Sequence, residues 1–449
     1  MRKTDQPGMT EMEKHTNIDR ISNLPWDVLD TILVHMPLKE AARTSLLSSK
    51  WRYKWTSLSQ FIIDDKCLSS CLSDKVLRWK EIMKIIHQVQ SNHSGPIEKF
   101  KLAAYCHPIH SDLDQWIQFL TERGIKELIL QEFDCVKRFK LPACLFSCPQ
   151  LSCLELYGCV INLSTSFRGF NSLASLHLAH SSISSGTLEF LIVNCPVLER
   201  LTLLNIDHSA VLKINNLNLK YLKIDSKFED ICLKNAPLLS SVDIRLKMIP
   251  RHPDQGPACN LVRVIGCLYG IKKLILSTHF LEFLAYNDVP ERLPAMLDHL
   301  FALDLREVRF DSLKDVRVSF SMLSSAPNLE ELIISVSNSS GVLNTVLDFL
   351  RAQCLLDTYF NKLKVVKIRG IWGTRTEWEF IKFILSHSPV LEAMTIVKYG
   401  GERIPDSLFL QVDRASDHVK EQTESKAFNM LESVCGIESR HSMKVASFG

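Results

Sequence analysis

Apolar residues recur along most of this chain in the order L-x-x-L-x-L, with Ile, Val, Phe and Met as substitutes. The unit stands at Ile97-Phe100-Leu102, Ile125-Leu128-Leu130, Leu151-Leu154-Leu156, Leu173-Leu176-Leu178, Leu198-Leu201-Leu203 and Leu219-Leu222-Ile224. It continues at Leu239-Val242-Ile244, Ile271-Leu274-Leu276, Leu305-Val308-Phe310, Leu329-Leu332-Ile334, Leu363-Val366-Ile368 and Leu391-Met394-Ile396. Within each unit the last positions alternate apolar and polar, which is the pattern of a strand with one buried face. One unit cannot bury its own apolar face, so neighbours must stack, and a parallel sheet joined by return segments follows. Ser185–Val193 and Ile381–Ser386 have helical spacing and are predicted to be such returns. Cys148-Pro149, Cys195-Pro196, Ala236-Pro237, Ala326-Pro327 and Ser388-Pro389 stand just before units. A proline there ends a helix and forces the preceding residue to extend.

The first sixty residues read differently. Residues 1–16 are polar and predicted to be disordered. From Asn17 to Leu58 the apolar period is helical. Pro25 suits a first helical turn, and Ser22 and Asn23 before it are capping types. Leu29, Ile32 and Leu33 then share one face. Pro37 stops this helix. Leu38–Leu47 reads as a second short helix with Leu38, Ala42 and Leu46 on one stripe. Trp51 and Trp55, four apart, are predicted to share a face of a third. About 40 residues is near the lower limit for a domain that folds unaided. The three helices carry more apolar surface than they can bury, as a docking module does. Phe61-Ile62-Ile63 then predicts a short strand. Val76–Val89 predicts an amphipathic helix carrying Val76, Leu77, Ile82, Ile85, Ile86 and Val89, and Ser91–Pro96 a turn.

Composition narrows the class. A chain of 449 residues allows one to three domains. Its 46% hydrophobic content argues against disorder. A net charge of +3 gives no electrostatic reason to expect a nucleic-acid partner. No apolar run reaches the length needed to cross a bilayer, and no secretory h-region follows the N-terminus. The 14 cysteines are scattered without a C-x-x-C pair, and many sit inside apolar patterns. Buried thiols of that kind indicate a reduced, intracellular chain. Its short basic runs do not separate nucleus from cytoplasm.

Candidate chemistry is sparse. There is no G-x-G-x-x-G, G-x-x-x-x-G-K-[ST], H-E-x-x-H or G-x-S-x-G, so no catalytic residue and no cofactor is assigned. Cys106, His107, His110, Asp112 and Asp114 are ligand types but too crowded for the usual zinc spacing. The simpler reading is a polar loop whose Asp112 caps a helix beginning at Leu113. Cys67 with Cys71, and Cys144 with Cys148, lack an accompanying histidine pair, and no metal site is assigned. Lys137-Arg138-Phe139-Lys140 reads as a solvated basic loop. What remains is surface. The residue between the last two apolar positions of a unit points away from the core. These are Glu155, His177, Thr202, Lys223, Asp243, Ile275, Arg309, Ile333, Lys367 and Thr395, a chemically mixed row suited to binding. Glu155, His177, Thr202, Lys223, Asp243 and Lys367 are the candidate target-binding residues.

The residues also carry a resemblance. The N-terminal segment, with Leu24, Pro25, Leu29, Ile32, Leu33, Pro37, Ser48, Trp51, Arg52 and Trp55, resembles a plant-type F-box; Lys54 departs, since many relatives are apolar there. The units are spaced about 20–34 residues apart and resemble leucine-rich repeats, whose period is about 20–29. Leu151–Cys159 has the L-x-x-L-x-L-x-x-C form, in which the cysteine bridges neighbouring turns. Leu363–Val397 is similar to the FBD segment that ends many such proteins, through Leu363, Lys364, Val366, Gly370, Phe380, Leu385, Pro389, Leu391, Glu392 and Met394. Leu305–Ile334 resembles the approach to that segment, and Arg414-Ala415-Ser416 its usual end.

The fold implied is α/β. A three-helix F-box (17–58), a connecting strand and helix (59–96) and a leucine-rich-repeat solenoid with helical returns (97–360) come first. An FBD segment (361–416) and a helix with a loose tail (417–449) complete it. The resemblance implies a non-catalytic subunit of a ubiquitin ligase. Leu24, Pro25, Leu29, Ile32, Leu33, Pro37, Leu38, Leu47 and Trp51 would bind the Skp adaptor, and through it a cullin. The repeats would hold a protein substrate. Two alternatives stay open: a repeat scaffold acting outside any ligase, and an enzyme built on Cys106–Asp114, which would carry stoichiometric metal.

Overall fold

The hexad pattern becomes strands in two compact units, Met1–Phe133 and Asp134–Gly449. This computed structural model describes residues 21, 24–36, 38–47, 49, 51–68, 74–106, 110–133, 138–164, 167–207, 211–248, 260–268, 270–337, 344–354, 359–399 and 420–423. The N-terminal segment 1–16, Pro37 and most of 400–449 therefore lie outside the described residues.

In the first unit, helix Trp26–Val34 buries Leu29 and Leu33, one turn apart. Pro25 stands one place earlier than the first helical turn, at the N-cap, and its carbonyl accepts from Val28 and Leu29 N–H at 3.1 Å each. The expected caps Ser22 and Asn23 lie outside the described residues. The second helix is shorter than the pattern predicts. It spans Leu38–Arg43 and tightens into a 3-10 turn at Thr44–Leu46. Thr44 and Ser45 hydroxyls donate back to the Ala41 and Ala42 carbonyls at 2.6 Å, a local bond that competes with α-helix. The same competition removes the third α-helix. Only the 3-10 turn Lys54–Ser57 forms, with Thr56 and Ser57 hydroxyls bonded to Tyr53 and Lys54 carbonyls. Trp51 precedes that turn and is buried.

Strand Gln60–Asp64 pairs in parallel with Lys99–Cys106, and that strand with Glu127–Phe133. Between them, helix Lys75–Asn92 is capped by Asp74, whose carboxylate accepts from Val76 N–H at 2.7 Å. Its buried stripe is Trp79, Ile82, Met83, Ile86 and Val89, while Val76 and Leu77 are exposed. The predicted apolar face was set too early because Trp79, and not Val76 or Leu77, takes the first inward position. Helix His110–Glu122 buries Leu113, Trp116, Ile117 and Leu120. The Trp116 and Phe100 rings meet edge-on, with centroids 4.5 Å apart.

In the second unit the parallel strands follow chain order: Cys153–Tyr157, Ser175–Ala179, Arg200–Leu204, Tyr221–Ser226, Ser241–Leu246, Lys273–Ser277, Ala302–Val308, Glu331–Val336, Val365–Ile371, Ala393–Lys398 and Lys420–Thr423. Register aligns Leu154, Leu176, Leu201, Leu222, Val242, Leu274, Leu303, Leu332, Val366 and Met394. All of these are buried.

That register corrects one unit. Leu305-Val308-Phe310 does not align; the unit there is Leu300-Leu303-Leu305, with Leu303 opposite Leu274 and Leu332. Leu300 stands midway between Ile271 and Leu329, so the true unit keeps the spacing even. Not every return is helical, either. Ser185–Val193, Leu313–Ser324, Asn344–Gln353 and Arg375–His387 are helices. The returns at Val211–Asn215 and Asp230–Lys234 are strands that pair in parallel. Units there are only about 20 residues long, and V-L-K-I-N alternates as a strand does. In the C-terminal segment, predicted to be helix, the described residues Lys420–Thr423 form a strand along Ala393–Ile396. An unpaired sheet edge offers backbone partners that a short polar segment can take.

Candidate functional site

The F-box-like segment divides its predicted residues by burial. Leu29, Leu33, Leu38 and Trp51 are interior and hold the segment together. Leu24 is half-buried, and Pro25, Ile32 and Leu47 are exposed. Pro37 is outside the described residues. Exposed apolar side chains outside the predicted adaptor-binding set are Trp26, Val28, Leu46 and Tyr53. Val28 and Ile32 are one helical turn apart and share a face. Leu46 and Leu47 are 84% and 71% exposed, because the tightened 3-10 turn takes Leu46 off the expected stripe. Lys54 has a role here. Its ammonium lies 5.4 Å from the Trp26 ring centroid and 5.8 Å from that of Trp51, so a cation over aromatic faces replaces the apolar packing.

The sheet of the second unit carries the other surface. Glu155, His177, Thr202, Lys223, Asp243, Ile275, Asp304, Ile333, Lys367 and Thr395 occupy one register row, each opposite the next. Asp304 takes the place expected for Arg309, a consequence of the corrected unit. Arg309 instead follows the strand and pairs with Asp315 at 3.0 Å and Glu282 at 2.7 Å. The row's charges are partly matched within the sheet. Lys223 is 3.8 Å from Asp243, and Lys367 is 2.8 Å from Glu331 on the neighbouring strand. Burial pushes the Asp243 carboxyl up, and Arg306, Lys223 and Arg245 pull it back. Burial likewise holds the His177 imidazole below its ordinary value, against the pull of Glu155.

Beyond the strands, Glu377 organises the loop before helix Arg375–His387. Its carboxylate accepts from the N–H groups of Trp372, Gly373 and Thr374 at 3.1, 2.7 and 2.8 Å, and it closes a capping box with Thr374. Cys159 is fully buried, as the repeat form implies. Its sulfur lies 3.2 Å from the Ser181 hydroxyl of the next unit, and burial raises its thiol to about 12.

The crowded Cys106–Asp114 cluster is not assembled among the described residues. Helix His110–Glu122 begins three residues before Leu113, so Asp112 sits in its first turn and not at its cap. Its carboxylate faces inward and accepts from the Trp79 indole N–H at 3.3 Å. Asp114 is exposed, and His107 is outside the described residues. The basic run is split: Phe139 is core, and Arg138 pairs with Asp207 at 2.5 Å. Cys67, Cys144 and Cys148 form no disulfide among the described residues, and Cys71 is outside the described residues.

A helical N-terminal segment with exposed apolar side chains, and a parallel repeat sheet with helices, define a mixed α/β leucine-rich-repeat protein. Comparison with known proteins agrees. Residues 21–62 match the F-box domain, residues 113–334 the repeats of "FBD-associated F-box protein At5g56370, LRR repeats", and residues 353–396 the FBD. The Arabidopsis thaliana F-box/FBD/LRR-repeat protein At1g13570 is 38% identical over 381 residues, covering 84% of this chain and 91% of its own length. The F-box/FBD/LRR-repeat proteins At1g78750 and At1g51370 of the same plant are 25% and 26% identical, over 88% and 85% of this chain and 93% and 89% of their own lengths. The chain belongs to the F-box/FBD/LRR-repeat family. Proteins of this family are in general non-catalytic and adaptor-type. Among the described residues no helix is long and apolar enough to cross a membrane.

Proposed function

We propose that this chain is the substrate-recognition subunit of an SCF-type ubiquitin ligase. The observation that carries the reading is the set of exposed apolar side chains within the F-box match: Trp26, Val28, Ile32, Leu46, Leu47 and Tyr53. Water-exposed apolar groups so dense in a small helical segment need a partner, and the Skp adaptor is the partner that F-box domains generally bind. Pro25 and Leu24 flank the same surface. Leu29, Leu33, Leu38 and Trp51 act from beneath it by fixing the helices. Through the adaptor the chain joins a cullin.

The row Glu155, His177, Thr202, Lys223, Asp243 and Lys367 is the surface offered to a protein target. The mechanism is proximity. A target held on the sheet meets a ubiquitin-conjugating enzyme on the same assembly at high effective concentration. This chain supplies no catalytic group and no cofactor. It works inside the cell, in nucleus or cytoplasm, where the ligase machinery is.

Co-expression with a plant Skp adaptor, followed by purification through the adaptor, tests this. The native chain is retained. Ile32→Asp with Leu47→Asp, both at exposed positions, keeps its circular dichroism spectrum and is lost from the adaptor. Absence of the native chain from the purified adaptor, or equal retention of the folded variant, refutes the reading.

A further inference from the structure

A cavity of about 270 Å³ lies at the ends of strands Ala302–Val308, Glu331–Val336, Val365–Ile371 and Ala393–Lys398. Arg245, Arg306, Arg369 and Lys398 line it, against the carboxylates of Asp304 and Glu307. Cations outnumber carboxylates two to one here, in a chain whose overall charge is close to balanced. The Arg306 Nε donates to Asp304 at 3.1 Å, which commits one of its five donors. Arg369 is exposed and pairs with no carboxylate among the described residues.

The wall beside these charges is apolar and fixed. Ile333, Val336, Val397 and Tyr399 supply it. Tyr399 stacks on Trp372 with centroids 4.0 Å apart and planes 20° apart. Trp372 is in turn held by the Glu377 carboxylate through its N–H. Two bulges shape the rim. Register breaks between Leu305 and Val308, with Glu307 at φ 59°, and between Arg369 and Ile371, with Gly370 at φ 75°. Bulges re-aim side chains at strand ends. At Gly370 a Cβ would stand 3.1 Å from the Val336 carbonyl oxygen, so glycine is what lets the two strands approach there.

We infer that this cavity is the anchor pocket for an acidic segment of the target protein. A carboxylate of the segment pairs with the Arg306 and Arg369 guanidinium groups, which match its two oxygens. An adjacent apolar side chain of the segment rests on Ile333, Val336, Val397 and Tyr399. A protein segment, and not a free anion, is the occupant because Asp304 and Ile333 belong both to the cavity and to the register row. The pocket is thus continuous with the surface assigned to the target, and it combines charge with an apolar wall. This inference rests on the receptor reading given above.

The test is selection of random phage-displayed peptides on the purified full chain, carried out with and without the adaptor. Enriched peptides carry Asp or Glu next to an apolar residue, and their binding weakens as salt is raised. Arg369→Glu, at an exposed position, leaves the thermal midpoint unchanged and lowers affinity for the selected peptide at least tenfold, while Arg369→Lys loses less. Selection of neutral or basic peptides, no selection at all, or equal binding by Arg369→Glu overturns the inference. So does binding of inorganic phosphate without any peptide, which would make the pocket a small-anion site. The adaptor result is read separately. Loss of adaptor binding with acidic peptides still selected refutes the receptor reading and leaves the pocket standing, and the reverse outcome refutes the pocket alone.

Discussion

Arg309 offers a quantitative test of the corrected repeat register. With the unit at Leu305-Val308-Phe310 its side chain would stand outward on the sheet, where substitution costs about 0.5 kcal/mol or less. In the structure it is the counter-ion of a buried carboxylate. Nε and Nη2 of Arg309 donate to both Asp315 oxygens, at 3.1 and 3.0 Å, and Nη2 also reaches Glu282 at 2.7 Å. Asp315 has no exposed surface and accepts further from the Ser312 and Thr278 hydroxyls at 2.9 and 3.1 Å. These bonds hold the guanidinium well above its ordinary range, the Asp315 hydrogen bonds most of all. Arg309→Met keeps the alkyl packing but leaves Asp315 without a counter-charge. Breaking a buried pair in this way costs about 3–5 kcal/mol, and because Arg309 is itself 30% exposed the lower end, about 3 kcal/mol, is expected. Adding Asp315→Asn removes the orphaned charge and keeps one acceptor oxygen for the Ser312 or the Thr278 hydroxyl, so the double variant recovers about half of that loss. Urea denaturation of the full chain, with midpoints compared at unchanged slope, measures both. A loss below about 0.5 kcal/mol for Arg309→Met, or a double variant less stable than the single, refutes the assignment.

Leu203 is fully buried between Leu178 and Ile224 on the neighbouring strands, so Leu203→Ala should cost about 2–5 kcal/mol in urea denaturation, whereas Thr202→Ala, on the outward row, should stay within about 0.5. Stability should also fall on mild acidification. Burial lowers the imidazoles of His93, His177 and His180 below their ordinary 6.5. The unfolded chain therefore binds protons first as pH drops, and these residues favour the folded state fully above about 6.5 and progressively less below it. His93→Gln should flatten the thermal-midpoint profile from pH 7 downward, since His93 is buried against the Leu58 carbonyl at 2.9 Å; an unchanged profile refutes its share.

The sheet was legible in the sequence because a strand with one buried face repeats every two residues, and stacking forces each unit to repeat the last. Where the hexad was ambiguous the reading slipped. Leu305 fits both as the end of one unit and as the start of another, and only the strand opposite decides. The F-box-like segment was legible as pattern and less so as surface. Leu29 and Ile32 stand on what the helical period counts as one face, yet Leu29 is core and Ile32 is exposed. Periodicity marks a stripe, and the neighbours that cover part of it come from elsewhere in the chain. The third helix failed for a local reason, the hydroxyl bonds of Thr56 and Ser57 to the preceding turn.

The outward row raises a question of where specificity can reside. Except at Asp304, its position in the sequence was predictable from alternation, but its chemistry is largely spent within the protein. Lys223 faces Asp243, Lys367 faces Glu331, and burial already weighs on Asp243 and His177. The half-exposed pair of Lys367 and Glu331 contributes about 0–1 kcal/mol, Asp243 is buried beside Lys223, and a ligand charge must displace one partner of either pair to use the other. A row so compensated tolerates many targets and selects strongly for none. Discrimination needs charges left in excess beside a rigid apolar wall, because an unmatched partner is then rejected by an uncompensated cation. On this sheet that condition is met at the strand ends around Arg369, beside the Arg306–Asp304 pair. No alternation signals it: Glu307 and Gly370 leave the regular strand there, and the residues that meet come from strands more than a hundred residues apart, Arg245 to Tyr399.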